Sequence, residues 1–196
     1  EGFASRWELE SGDQITQEIV DAFENKQVNL LREPSQELMD MENPYDWSAR
    51  NIAGADYAWD HVYYDGNYYS YYGVAPVLTF FLPYHMLTEH YFPADMAVWI
   101  FSCIGLIFLG LTYIAIVKRW VRSISSGCII GGYMILLSIC GIWYSVGRPM
   151  FYEIAVSSGF MYLTAGAYFL ISSNMLSKGK ISLARTVLCS VFLGLA

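Results

Sequence analysis

Residues 96–196 contain a single acid, Glu153, against seven bases, and five positions before it stands Arg148 in the sequence GRPMFYE. An ionisable group kept inside an apolar run is costly and commonly serves a site. A guanidinium at the end of such a run can donate two hydrogen bonds to phosphate oxygens, and its charge stabilises a phosphate as it departs. Five helical steps set the two side chains about 140° apart, so they are poorly placed to neutralise each other. The plainer assignment is an Arg reaching out to headgroups and a Glu bonded to a polar group on another helix.

The other candidate acids lie in the first 73 residues, where 15 acids face 4 bases. Most are simply solvated. Asp13 stands at the start of an amphipathic segment, where its ordinary role is a helix cap. Asp46 sits in NPYDWSAR, which reads as turn chemistry. Asp56 and Asp60 bracket Trp59 in GADYAWDH, and residues 57–72 carry seven Tyr. Acids beside aromatic rings suit sugar binding, since ring faces pack on pyranose faces while carboxylates accept hydroxyl protons. The same pattern also fits an interfacial aromatic belt. His61, His85 and His90 lack metal-ligand spacing and are given no role, and no metal site is assigned.

The elements that must position these groups follow from charge and hydropathy. The net charge of −7 divides into −11 over residues 1–73 and +6 over residues 96–196. That jump excludes one ordinary soluble domain, and bases scattered among apolar runs argue against nucleic-acid binding. Apolar runs at 94–117, 124–147 and 149–172 each match the ~20 residues of a transmembrane helix, and 181–196 begins a fourth. The chain is read as a fragment at both ends. All four cysteines lie within apolar runs, as small packing residues rather than a disulfide frame. Lys118, Arg119 and Arg122 follow the first run, and Lys178, Lys180 and Arg185 follow the third. The positive-inside bias assigns both clusters to the cytoplasm. The acidic head and Arg148 then face the exoplasm of a multi-pass protein of the cell membrane.

Within residues 1–73 the pattern predicts a helix over 13–26, with Ser11 and Gln14 as a capping box, and a short helix from Pro34 to Met41. An Asp65-Gly66 turn between aromatic arms predicts a hairpin. Residues 74–93 read as an interfacial segment, with Val74–Thr88 too short to span and Tyr84 and His85 at headgroup level. Gly127 and Gly131 would permit close helix packing. The expected fold is an all-α polytopic membrane bundle bearing an exoplasmic loop domain of short helices and a Tyr-rich hairpin.

The run DYAWDHVYYDGNYYSYYGVAPVLTFFLP, after NPYDWSAR and before an apolar span, resembles the first exoplasmic loop of GT-C superfamily glycosyltransferases. It is most similar to bacterial relatives of the dolichyl-phosphate-mannose protein mannosyltransferase and lipid A aminoarabinose transferase group. The likeness is spread over most of residues 10–155 and makes run 94–117 the family's second span. It implies that Asp13 in SGDQ is the catalytic acid, with Gln14 where the family often has Glu. It also implies that Arg148 holds the donor phosphate, with Glu153 in place of the usual Asp. Asp56 and Asp60 would support the pocket, and Trp59, Tyr63, Tyr64, Tyr68 and Tyr69 would line it for sugar or acceptor. The implied activity moves a sugar from a polyprenyl-phosphate donor to a glycan, lipid or protein acceptor, with no further cofactor assigned. The competing readings are a non-catalytic membrane-anchored carbohydrate-binding or assembly protein and, more remotely, a lipid-linked sugar transporter.

Overall fold

The computed structural model describes residues 15–121 and 123–196, so Asp13, the Ser11–Gln14 cap and Arg122 lie outside the described residues. The chain is mostly helical and divides into two compact units, Glu1–Tyr91 and Phe92–Ala196.

In the first unit, α1 (Ile15–Glu24) buries Ile15, Ile19 and Ala22, an apolar stripe at helical spacing, with Val20 beside it. It stops because Lys26 turns left-handed, with φ 61°. The Gln27 N–H then reaches back to the Ala22 carbonyl and the Lys26 N–H to that of Phe23, the paired bonds of a Schellman stop. The next helix, α2, is shorter than expected and covers Gln36–Met39, with Ser35 as its cap and Pro34 outside it. A third helix, α3 (Trp47–Ala53), forms where only a turn is read from the sequence. Asp46 caps it, accepting from the N–H groups of Ser48 and Ala49 at 2.9 and 3.2 Å, and Gly54 closes it at φ 65°.

The hairpin pairs β1 (Val62–Tyr64) with β2 (Asn67–Tyr69), Tyr63 opposite Tyr68. Asp65 and Gly66 have φ of 48° and 75°, the double positive φ that a two-residue type I′ turn requires. Residues 75–88 are helical throughout. A π-helical stretch, Val77–Phe81, runs into α4 (Leu82–Thr88) and buries Val77 and Phe81 within this unit. The wide π turn precedes Pro83, whose ring and missing N–H do not fit a regular α-ladder.

The second unit is helical throughout its regular structure: α5 (Ala94–Trp120), α6 (Ser126–Ile139), α7 (Ile142–Gly147), α8 (Phe151–Ser172) and α9 (Leu183–Leu195). Two of these, α5 and α8, are long and apolar enough to cross a membrane. Their 27 and 22 residues rise ~40 and ~33 Å, against a hydrocarbon core of ~30 Å. The run 124–147 is not one helix. Gly141 breaks it at φ 75°, and the Leu137 carbonyl at the break accepts from the Trp143 indole at 2.6 Å.

α5 and α8 run parallel, because Gly105 lies against Phe160 and Met161 while Thr112 donates to the Thr164 carbonyl. α6 returns antiparallel to α5 through two reciprocal contacts. Tyr113 crosses Gly132 to donate to the Ile129 carbonyl, and Tyr133 crosses Gly110 to donate to that of Leu106. The close-packing helical glycines are therefore Gly105, Gly110 and Gly132, together with Gly166, which lies against Leu193 of α9. Gly127 and Gly131, expected to play that part, face open space.

A Cβ at position 105 would come within 2.5 Å of the Phe160 ring and 3.3 Å of the Met161 Cα. Gly105→Val is expected to cost about 1–3 kcal/mol by overpacking, read as a lower unfolding temperature in detergent. Gly131→Ala, where a Cβ meets open space, should not lower that temperature and should raise it slightly.

Candidate functional site

The candidate residues fall in both units. In the second, α7 ends at Gly147 and α8 starts at Phe151, so Arg148 occupies the turn between them and not a helical face. It is exposed, with its guanidinium donating to the Tyr144 hydroxyl at 3.3 Å and to the Met150 sulfur at 3.2 Å. Glu153 lies two residues past the start of α8, which sinks it ~3 Å along the helix axis, against ~6 Å for a helix beginning at Pro149. Its carboxylate is buried and accepts from Ser145 of α7 at 2.8 Å. The exposed N–H groups of the first turn of α8 favour a negative charge there. Arg148 and Glu153 thus share a turn but each has its own partners.

In the first unit, Trp59 is 84% exposed and Tyr64 is exposed, leaving both ring faces open. Tyr63 and Tyr68 are buried instead. They pack edge-to-face at 5.8 Å and form the inner side of the hairpin. Tyr68 also meets the rings of Tyr57 and His61, and its hydroxyl accepts from the Ala58 N–H. Burial pushes its pKa up. Tyr69 is half-buried, and Asp56 is exposed. Asp60 has φ 61° and accepts from the Tyr71 hydroxyl at 3.1 Å. The Asp56–Asp60 loop is held by the Tyr57 hydroxyl, which donates to the His61 carbonyl, and by Arg50 stacked 4.0 Å over the Tyr57 ring.

One charged, partly buried contact has no signature in sequence spacing. Glu18 of α1 reaches His61, 43 residues away, with 2.5 Å between Oε2 and Nε2. Its other oxygen lies 3.5 Å from Arg32. His61 Nδ1 faces the Trp59 carbonyl, which can only accept, so that nitrogen carries a proton. With a carboxylate on Nε2 the ring is surrounded by acceptors, which favours the doubly protonated imidazolium. Burial alone lowers the imidazole pKa. The Glu18 hydrogen bond, the Trp59 carbonyl and the Glu18 charge outweigh it and raise the pKa above its ordinary value.

Two further contacts tie α1 to the end of the unit. Glu24 meets His85 at 2.9 Å, and Tyr91 stacks on His85 while donating to Asp21. Burial, together with Asp21, pushes the Tyr91 hydroxyl well up from its usual range. Glu18, Asp21 and Glu24 stand at intervals of three and form one edge of α1.

No family model, curated protein or solved structure matches this chain. The chemistry open to it therefore rests on its own side chains. An exposed guanidinium beside a buried carboxylate suits an anion at the end of an apolar helix pair. Exposed Trp59, next to Asp60 in the chain, and exposed Tyr64 on the hairpin suit a hydroxylated ligand. Among the described residues, no three His, Cys, Asp or Glu side chains gather as a metal-ligand set.

A folded-state pKa above the unfolded one gives stability that is full below the unfolded value of about 6.5 and lost as pH rises through the folded value. The first unit is expected to unfold at lower temperature at pH 8.5 than at pH 6, followed by tyrosine circular dichroism. His61→Gln should be destabilising at pH 6 and should flatten that dependence, and an unchanged slope would remove His61 as its source.

Proposed function

We propose that the protein transfers a sugar from a polyprenyl-phosphate donor to an acceptor on the outer face of the membrane. Arg148 carries this reading: an exposed guanidinium on a turn from which the long apolar α8 departs, steadied by Tyr144 and Met150. A phosphate attached to a lipid chain presents its charge at that depth, and a planar fork can hold two of its oxygens. Glu153, bonded to Ser145, fixes the first turn of α8 against α7. The distribution of Lys and Arg supports a multi-pass arrangement with the head and Arg148 outside and the 118–122 and 178–185 clusters in the cytoplasm.

In this reaction an acceptor hydroxyl or amine attacks the anomeric carbon and gives its proton to Asp13. The bond from that carbon to the phosphate oxygen breaks, and its electron pair leaves with the lipid phosphate, whose charge Arg148 stabilises. Trp59 and Tyr64 contribute ring faces to a sugar, and Asp60 accepts from its hydroxyls. Glu18 and His61 act as positioning residues, because they fix the loop that presents Trp59.

The test is transfer of radiolabelled sugar from a polyprenyl-phosphate donor by the full chain in detergent. Asp13→Asn is expected to lower transfer by at least about 100-fold, the usual contribution of a general base. Arg148→Ala should cost a similar factor, with Arg148→Lys intermediate because it keeps the charge and loses the fork. Wild-type transfer by the Asp13→Asn chain would overturn the assignment. Sugar binding without any transfer by the unaltered chain would favour the carbohydrate-binding alternative.

A further inference from the structure

A second polar site lies apart from the aromatic loop. The connection from α1 to α2 and the hairpin turn enclose a cleft of about 440 Å³, within the range of small-ligand sites. Its polar wall is a row of three amides. Gln27 donates to the Asn29 carbonyl at 3.0 Å, Asn29 donates to the Asn67 side chain at 3.1 Å, and Asn67 donates to the Asp65 carbonyl at 2.9 Å. The Leu30 N–H bonds the Tyr68 carbonyl at 2.8 Å and pins the connection to β2. The row is therefore set before any ligand arrives.

Each of these amides uses one N–H in the row, so the second N–H and the side-chain oxygens of Gln27 and Asn29 remain for a ligand. Arg32, whose guanidinium lies 3.5 Å from Glu18, and Glu33 complete the polar lining, and Leu30, Pro34 and Met39 form an apolar floor. Donors and acceptors side by side match vicinal hydroxyls, each of which both gives and accepts a hydrogen bond. The floor matches the C–H face of a pyranose ring. Glu18 already balances Arg32, Glu33 adds a negative charge, and the net charge of −11 over residues 1–73 repels anions at longer range. We propose that this cleft binds a neutral sugar of one or two rings. Binding there needs no donor lipid. Only its role as acceptor in turnover rests on the transferase reading.

The experiment is saturation-transfer NMR on the full chain in a detergent without a sugar headgroup, titrating maltose, lactose and N,N′-diacetylchitobiose, with glucuronate as the anionic comparison. At least one neutral disaccharide is expected to saturate with Kd of about 1 mM or tighter. Asn67→Ala should weaken it about tenfold by removing one partner of the row. Leu31 stands exposed at the rim, so Leu31→Trp should fill the cleft and abolish binding without unfolding the unit. The proposal fails if none of the three sugars binds below about 10 mM. It also fails if glucuronate binds more tightly than they do, or if Leu31→Trp leaves binding unchanged with circular dichroism preserved. Asp13→Asn separates the two claims, since it should stop transfer and leave this binding intact.

Discussion

Leaving an oxygen removed from water without a donor is costly, and most such oxygens in both units have one, Gln17 Oε1 and Ser102 Oγ being exceptions among the described residues. In the second unit the solutions are side chains reaching backbone carbonyls. Arg119 donates to the Ile171 carbonyl and to Asn174, and Arg185 donates to the Ser172 carbonyl, so the last turn of α8 is closed by two cations. Positive charge at a helix C-terminus is also the favourable sign for its dipole. Trp143 serves the break after α6, and Tyr113 and Tyr133 serve carbonyls across the α5–α6 contact. In the first unit the oxygens are carboxylates, with half-buried Glu18 and Asp21 met by His61 and Tyr91. Removing the donor to Glu18 or Asp21 would leave a partly desolvated charge unmet, the costly outcome, whereas exposed Glu24 and Asp56 are in water.

Some of this was legible in the residue pattern. The lengths of α5 and α8 follow from uninterrupted apolar runs, and the hairpin follows from Asp65-Gly66 between aromatic arms. α3 carried a readable signal, Asp46 as cap and Gly54 as stop, but Asn43-Pro44 made the same residues look like a turn. The break at Gly141 is harder to see, since one glycine in an apolar run is tolerated by most helices and only the local contacts at Leu137 and Trp143 decide it. The glycines at α5–α6 were missed because their spacing is not the four-residue repeat. Their partners are tyrosines, not a second glycine face.

The site was less legible than the fold. Arg148 and Glu153 stand out by type in an apolar half, and their placement on one turn follows from Pro149. The contact of Glu18 with His61 has no local signature, because it depends on how α1 meets the hairpin. Tyrosine content alone could not separate buried Tyr63 and Tyr68 from exposed Tyr64. In YY pairs one ring must face each side of the strand, and only the hairpin register decides which. The catalytic role given to Asp13 rests on resemblance, since it lies outside the described residues.

The claim that everything functional depends on is that α8 crosses the bilayer with the Arg148 turn outside and the 173–182 loop in the cytoplasm. Single cysteines at 148 and at 178, each in a chain whose four native cysteines are replaced, can be probed with a membrane-impermeant maleimide on intact cells and on lysed cells. The account expects the cysteine at 148 to react in intact cells and the one at 178 only after lysis. Equal reaction of both before lysis, or the reverse order, would contradict it.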